Sequence, residues 1–304
     1  MRVALLFIDG VGVGARNSEV NPLADRELLL SQFDDGSGTT LPLGGRRFDV
    51  DTTFGVPGRP QSASNQTAIL TGQPAPKITG EHLLGYPNAP LKKLITEHSV
   101  VRKVVAAQRT ATFANAYPAA YLDALKLRRR PSSSPDVVIP EKYLKRIKPS
   151  ASTLSMAAGG VELRTFDDAR AANGLTHDIE GRVARRRVDV PERTADEAAA
   201  IFWKLSADFT LFEHYLADEA GHAQDRGGAI DALETFDRFA RVVIATRPDD
   251  VLLMICSDHG NVEDLSTRNH TLNKVPVLVF GDSPKMPALQ TVADVGNTIV
   301  SVLT

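Results

Sequence analysis

The stretch from residue 251 to residue 261 constrains this chain most, because an unbroken apolar run ends beside a carboxylate and an imidazole. The run, Val251–Cys256, has the length of one buried strand. Strands that are apolar along their whole length are typical of parallel sheets with helices on both faces. Ligands of such sheets bind beyond the carboxyl ends of the strands. The segment therefore predicts an α/β fold with a functional site near Asp258 and His259, although a strand followed by a polar turn would explain this one segment alone.

The same arrangement recurs along the chain. Two further apolar runs lead to Asp9 and Asp218, and His222 follows the second aspartate by four residues. Another histidine, His270, precedes the apolar run 275–280. Carboxylates and imidazoles together suit Zn, Mn or Fe, whereas Mg and Ca prefer oxygen ligands alone. Because so many buried charges need cations to neutralise them, the pattern predicts a metal centre.

Composition narrows the class of protein. The 304 residues are enough for one large α/β domain with a smaller insertion, and the net charge of −2 gives no overall attraction to nucleic acid or anionic membranes. The single Cys256 excludes a disulfide framework and any cysteine-based zinc site. The first apolar run stops at Asp9, short of a signal-peptide core, and no run approaches the roughly 20 apolar residues of a membrane span. We therefore expect a cytoplasmic protein whose partners include neither nucleic acid nor membrane, and the oligomeric state is left open.

The loop after Asp9 contains a glycine pattern with two interpretations. Residues Gly10 to Ala15 match the loose dinucleotide-binding pattern G-x-G-x-x-A and follow a predicted strand. That pattern requires a helix to begin at once, so that its N-terminus faces the pyrophosphate. The residues that follow, 16–22, have the composition of a loop. An NAD-dependent oxidoreductase is kept as an alternative, and the favoured interpretation is that the glycines let the backbone turn sharply beside a metal ligand.

The segment 62–72 predicts a helix with a hydroxyl at its N-terminus. Ser62 is a favourable N-cap, residues 63–71 can be helical, and Gly72 can end the helix. Backbone N–H groups and the helix dipole favour anions at this position. Ser62 is therefore a candidate nucleophile for a phosphate group, and an ordinary helix cap is the alternative.

The composition changes between residues 117 and 190, where the alternation of strands and helices is interrupted. We interpret this segment as an inserted lid subdomain, and residues 1–116 and 191–304 as a metal-binding α/β core. Basic residues are concentrated in the lid: Lys126, Arg128, Arg129, Arg130, Lys142, Lys145, Arg146 and Lys148. They are either a wall that holds an anionic substrate or a solvated helix surface.

Taken together, five short segments resemble the alkaline phosphatase superfamily of metal-dependent phosphoryl and sulfuryl transfer enzymes. The branch that they most resemble contains the cofactor-independent phosphoglycerate mutases and the phosphopentomutases. The segments occur in the order that the family uses: Phe7-Ile-Asp9-Gly-Val-Gly, Ser62 to Gly72, Asp218-Glu-Ala-Gly-His222, Ser257-Asp258-His259-Gly-Asn261 and His270-Thr-Leu-Asn-Lys-Val-Pro276. The resemblance implies a three-layer αβα fold with a mostly parallel central sheet and a small inserted lid.

The resemblance also implies two metal sites. By position, the ligands of the first divalent ion would be Asp9, Ser62, Asp258 and His259, and those of the second would be Asp218, His222 and His270. We expect Mn or Zn in both sites. Ser62 rather than Ser64 is the implied nucleophile, because it stands ten residues before Gly72, as the family's nucleophile does.

The implied activity is phosphoryl transfer through a phosphoserine on Ser62, with a small phosphate ester as the substrate. Water as the acceptor would make the protein a phosphatase, and a second substrate hydroxyl would make it a phosphomutase. Asn65 is a candidate donor to the phosphate, and a turn-stabilising amide is its alternative role.

The residues around the nucleophile depart from the mutase signature, which has Asn before Ser and Glu after it. Gln61 and Ala63 occupy those positions here. Only the shorter lid stands where phosphoglycerate mutases have a large second domain. A non-catalytic metal-binding member of the superfamily is therefore kept as a further alternative.

Overall fold

The apolar runs of the sequence become the strands of one central sheet. A computed structural model describes residues 1–127, 146–186 and 188–304. Its strands are β1 (Arg2–Ile8), β2 (Arg46–Val50), β3 (Ala111–Phe113), β4 (Ala116–Tyr117), β5 (Arg164–Thr165), β6 (Phe209–His214), β7 (Val251–Cys256) and β8 (Val275–Phe280). Its helices are α1 (Ser62–Thr71), α2 (Ala75–Thr79), α3 (Ala89–His98), α4 (Val100–Ala106), α5 (Ala119–Ala124), α6 (Ala151–Ala158), α7 (Phe166–Arg170), α8 (Ala195–Lys204), α9 (Leu216–Ala223), α10 (Arg226–Ala245) and α11 (Ala293–Leu303), with short 3-10 turns at Pro42–Gly44 and Ala184–Arg186. None of the helices in the described ranges has the length and apolar character that a bilayer crossing requires.

The central sheet is mixed and mostly parallel. Its order is β2-β8-β7-β1-β6-β3, and β1 pairs in parallel with both β6 and β7. β3 continues the parallel arrangement beside β6. β8 runs antiparallel to β7, and β2 runs antiparallel to β8. Among these six strands, only β8 therefore points in the opposite direction.

Alternate residues of β1 point into two separate cores. Leu5 and Phe7 belong to a buried cluster that includes residues of α1, α3, α4, α6 and α11. Leu6 and Ile8 belong to a second cluster, which α8 and α10 cover on the opposite face. Burial on both faces explains why the sequence of this strand is apolar at successive positions rather than alternating. The arrangement confirms the predicted three-layer αβα fold.

The reversed direction of β8 brings another chain segment to the functional edge of the sheet. The parallel strands β1, β6 and β7 end at one edge. β8 begins near that edge, because Val277 near its start pairs with Cys256 at the end of β7. The loop between β7 and β8 therefore returns His270 to the edge at which Asp9 and Asp258 lie.

The structure corrects two local predictions. Ser62 is the first residue of α1 rather than its N-cap, and Gln61 occupies the cap position with no side-chain hydrogen bond. Strand β6 ends at His214, so Asp218 lies in α9 and not directly after the strand. Placement in a helix puts Asp218 and His222 one turn apart on the same face.

The segment 117–190, predicted as a lid, contributes both to the core and to a small separate sheet. Helix α6 packs against α1, α3 and α4, and Met156 is fully buried in the first core cluster. Strands β4 and β5 pair in a two-stranded sheet of their own. Five of the basic residues that the lid prediction named lie outside the described residues: Arg128, Arg129, Arg130, Lys142 and Lys145. The boundaries of the subdomain, and the role of its basic residues, stay predictions.

Candidate metal centre

The carboxyl edge of the sheet brings together a first cluster of candidate ligands. Asp9 follows β1, and Asp258 and His259 follow the neighbouring strand β7. His259 Nε2 lies 3.3 Å from Asp9 Oδ1 and 3.5 Å from Asp258 Oδ2. One ligand atom of each residue lies within 4.8 Å of the others, close enough for all three to contact a single ion. Asp258 and His259 are fully buried, and Asp9 is nearly so.

A second cluster lies beside the first. Asp218 and His222 project from α9, and His270 comes from the loop between β7 and β8. His222 Nε2 lies 3.3 Å from Asp218 Oδ2, and His270 Nε2 lies 3.7 Å from Asp218 Oδ1. The rings of His259 and His270 stack with their centroids 3.6 Å apart. The two clusters are therefore in direct contact.

Backbone carbonyl groups fix the tautomer of two of the histidines. His270 Nδ1 lies 2.7 Å from the carbonyl oxygen of Pro60, and His222 Nδ1 lies 2.7 Å from that of Arg268. A carbonyl oxygen can only accept, so each ring donates its Nδ1 proton and, when neutral, presents the Nε2 lone pair. The two Nε2 atoms are 3.1 Å apart, and their lone pairs repel unless a positive charge lies beside them. Imidazoles held in this way are typical of metal ligands.

Burial makes the carboxylates of the first cluster unfavourable as bare charges. Burial, reinforced by the neighbouring Asp258 carboxylate, raises the pKa of Asp9 well above its usual range. Burial also raises the pKa of Asp258 and lowers the pKa of His259 to about 3, which keeps that imidazole neutral. Asp9 Oδ1 is buried and receives no hydrogen bond from the described residues. Crowded carboxylates, a neutral imidazole and an unpaired acceptor oxygen fit a divalent cation that takes nitrogen and oxygen ligands.

Two residues of α1 face the first cluster. Ser62 Oγ lies 2.8 Å from His259 Nε2, and as the first residue of the helix it does not cap the backbone. Gln66, one turn later, donates from Nε2 to Asp9 Oδ2 at 3.2 Å and to Asp258 Oδ2 at 3.1 Å. Sequence reasoning missed Gln66. Its spacing of four residues from Ser62, on the same helix face, is the signal that could have found it.

Asn65 is buried and uses its amide within the fold. Its Nδ2 donates to the carbonyl oxygen of Thr52 at 3.0 Å and to that of Asp258 at 2.8 Å. An amide nitrogen carries two hydrogens, and both are used here. The geometry thus favours the stabilising role over a donor to phosphate, because Asn65 fastens α1 to the loop that bears Asp258.

The glycine loop lacks the surroundings of a dinucleotide site. No helix begins between β1 and the turn at Pro42–Gly44, a stretch that the structure describes throughout. Gly10 has a φ of +74°, and a Cβ there would lie 2.6 Å from Asp218 Oδ1. The loop therefore turns tightly beside a candidate metal ligand, in agreement with the second interpretation of the pattern.

Comparison with known proteins agrees with this geometry. Residues 177–304 match the family profile described as the Metalloenzyme superfamily. A phosphopentomutase from Actinobacillus succinogenes is 36% identical over 98 residues, which are 31% of this chain and 25% of that protein. A phosphopentomutase from Deinococcus radiodurans is 35% identical over 105 residues, which are 33% of this chain and 27% of that protein. The matches thus span about a quarter of the length of these curated relatives.

The fold is shared with solved alkaline phosphatases. The cold-active alkaline phosphatase from a Shewanella species aligns with a TM-score of 0.54 at 15% identity, and the alignment covers 100% of both chains. At this identity, the likeness concerns the fold alone. Together with the family profile that matches residues 177–304, it supports the resemblance of the motifs to the alkaline phosphatase superfamily of metalloenzymes. About a third of the chain is similar in sequence to phosphopentomutases.

Proposed function

We propose that this protein is a metal-dependent phosphoryl-transfer enzyme that forms a phosphoserine on Ser62 and acts on a small phosphate ester. The observation that carries the proposal is the position of the Ser62 hydroxyl, which lies on the first turn of α1 and 2.8 Å from His259 Nε2. A hydroxyl in contact with a cluster of candidate metal ligands suits a nucleophile that a cation activates. The phosphopentomutase relatives support phosphoryl transfer as the class of reaction.

The proposed ligand sets follow the two clusters. One divalent ion would be held by Asp9, Ser62, Asp258 and His259, and the other by Asp218, His222 and His270. When bound, divalent ions lower the pKa of a coordinated hydroxyl and offset the negative charge of the phosphoryl oxygens. Mn or Zn is proposed because both accept mixed nitrogen and oxygen ligands.

Several groups of the chain would have separate roles in the reaction. Ser62 Oγ loses its proton to solvent and attacks phosphorus in line with the ester oxygen. The bond from phosphorus to the ester oxygen breaks as the new O–P bond forms, and the leaving oxygen takes a proton from solvent. The N-terminus of α1 favours the anionic phosphoryl group through its dipole. The Nδ1 hydrogen bonds of His222 and His270 to backbone carbonyls hold both imidazoles in one orientation. The phosphoserine then transfers its phosphoryl group to water in a phosphatase, or to a substrate hydroxyl in a phosphomutase.

Replacement of Ser62 tests the proposal, and Ser64 provides a matched control. Ser64 lies two residues further along α1, and its buried hydroxyl donates to the carbonyl oxygen of Gln61. With Mn or Zn and a panel of phosphate monoesters and pentose phosphates, Ser62→Ala should lose turnover and phosphoserine formation, measured by intact-protein mass spectrometry. Ser64→Ala should retain both. Turnover by Ser62→Ala at the wild-type rate would refute the assignment.

The same panel separates the alternatives. Metal binding without turnover of any ester would identify a non-catalytic metal-binding member of the superfamily. Quenching of nicotinamide fluorescence on titration with NADH would revive the oxidoreductase alternative. A cytoplasmic location, and the absence of nucleic-acid and membrane partners, stay predictions from the sequence.

A further inference from the structure

Glu263 is a buried carboxylate that has no part in the proposed reaction. It follows Asp258 and His259 in the loop after β7, and only 1% of its surface is exposed. A carboxylate at such a depth needs several hydrogen-bond donors or a cation to replace the water that it loses. The chain segments that carry its hydrogen-bond donors are therefore the segments that Glu263 connects.

Four donors reach the two oxygens of Glu263. Oε2 accepts from the backbone N–H groups of Gly12 and Asn261, each at 2.8 Å. Oε1 accepts from Thr271 Oγ1 at 2.5 Å and from Asn273 Nδ2 at 3.0 Å. Its carboxylate is thus satisfied by the chain itself, and all four donors lie in loops at the carboxyl edge of the sheet.

Each of these loops carries a candidate metal ligand. The loop after β1 carries Asp9, the loop after β7 carries His259, and the segment before β8 carries His270. Asn261 extends the connection to the helix α9, because its Nδ2 donates to Asp218 Oδ1 at 2.7 Å. One carboxylate is therefore linked, directly or through Asn261, to segments that supply both clusters.

Two glycines of the glycine pattern, Gly12 and Gly14, and Gly260 after β7 pack against the same carboxylate. A Cβ added at Gly12 or at Gly260 would overlap Glu263 Oε1, and one added at Gly14 would lie 2.7 Å from Glu263 Cγ. Glycine at these positions lets the backbone approach a buried side chain more closely than any other residue would allow. Gly12 and Gly14 of the pattern that resembles a dinucleotide fingerprint therefore have this packing role.

We propose that Glu263 is a positioning residue for the metal centre, and that altering it weakens metal binding at both ligand clusters. Its carboxylate joins three ligand-bearing segments, so its loss lets the ligands move apart. Groups that orient metal ligands from outside typically change metal affinity by about 10–100-fold. This inference rests on the proposed metal-dependent function.

Glu263→Gln is the most direct test, since it keeps the shape and replaces one oxygen by an NH2 group that faces two donors. Mn and Zn affinities of the full chain would be measured by competition with a fluorescent chelator, under conditions in which circular dichroism shows the metal-free protein folded. We expect an affinity about 10-fold lower than that of the wild type. Thr271→Val removes one of the four donors to Glu263, together with the hydroxyl that accepts from the Asn273 backbone N–H at 3.3 Å, and we expect a smaller loss of about 3-fold from it.

Asp237→Asn is the matched control. Asp237 is also a buried carboxylate, and it accepts from the backbone N–H of Leu29 and from Arg241 Nε, each at 2.6 Å, away from both clusters. Asp237→Asn should therefore lower the stability of the metal-free protein without changing its metal affinity. If Glu263 had a structural role alone, Glu263→Gln would likewise lower the stability of the metal-free protein and leave its metal affinity unchanged.

The outcomes separate the two proposals. Wild-type protein that binds neither Mn nor Zn would overturn the proposed function, and the role of Glu263 with it. Wild-type binding together with unchanged affinity in Glu263→Gln and Thr271→Val would overturn the role of Glu263 and leave the proposed function standing. If Glu263→Gln does not fold, Thr271→Val decides between these results.

Discussion

The buried carboxyl group of Glu213 should make the metal-free protein less stable as the pH rises. Glu213 lies near the end of β6 with 8% of its surface exposed, and Tyr117 Oη lies 3.5 Å from its Oε2. Burial raises the pKa of this carboxyl from 4.5 to about 7. Between these two values, the folded protein retains a proton that the unfolded chain has released. Rising pH therefore favours the unfolded chain over this interval.

The size of the effect follows from the two pKa values. A difference between 4.5 and about 7 corresponds to roughly 3 kcal/mol of unfolding free energy, fully lost above about pH 7. Glu213→Gln has nearly the same shape but cannot ionise. At about pH 8 the variant should therefore exceed the wild type in unfolding free energy by up to roughly 3 kcal/mol, and at about pH 5 by less than about 1 kcal/mol.

Urea denaturation in the presence of EDTA measures both values, because the chelator removes any effect of bound cations on neighbouring carboxylates. Glu81→Gln is the control, since it neutralises an exposed carboxylate of the same type and should follow the wild type at both pH values. Other buried groups titrate in both proteins and cancel in the difference. The reasoning would be refuted if the unfolding free energies of Glu213→Gln and the wild type differed equally at both pH values. It would also be refuted if they did not differ at the higher pH.

Two further perturbations test the electrostatics and the packing of the site. Asp9→Asn should make the metal-free protein more stable, because it removes the buried carboxylate that crowds Asp258. Metal at 100 times its Kd should raise the unfolding free energy of the wild type by about 2.7 kcal/mol, and Asp9→Asn should reduce this increase. Thermal unfolding with EDTA and with Mn measures both changes. An unchanged metal-induced gain would count against Asp9 as a ligand. Gly12→Ala should cost about 1–3 kcal/mol in urea denaturation, because its Cβ overlaps the Glu263 carboxylate. Gly227→Ala, at an open helical position, should change stability by no more than about 1 kcal/mol, and equal effects of the two alanines would contradict this account.

The fold could be predicted because its determinants are local. The run Val251–Cys256 is apolar at every position, and a strand of this kind requires cover on both faces. Parallel strands end at a common edge, so the acidic residues after β1 and β7 were expected to meet. The direction of β8 could not be predicted in this way, since an apolar run has the same composition whichever way the strand points.

The parts of the site that sequence reasoning missed depend on contacts between distant segments. Gln66 joins Asp9 to Asp258, and Glu263 joins loops that lie far apart in the chain. The four-residue spacing from Ser62 indicates the helix face of Gln66 but not its contacts with the two aspartates, and no local spacing indicates the contacts of Glu263. The position of Ser62 shows how small the decisive differences are: one residue separates an N-cap, whose hydroxyl serves the backbone, from the first helical residue, whose hydroxyl faces His259.

The central position of β1 has a consequence for how the protein is made. Val3 pairs with Phe209 on one side and with Leu252 on the other, so β1 leaves the ribosome before both of its partners and stays unpaired until β6 and β7 have been made. Contacts between such distant residues slow folding, and an apolar strand without partners invites association with other nascent chains. Asp9 shares this delay, because β6 and β7, which bring Asp218 and Asp258 beside it, are synthesised long after β1. A ribosome-bound intermediate would therefore hold its first candidate ligand long before it could assemble a complete ion-binding site.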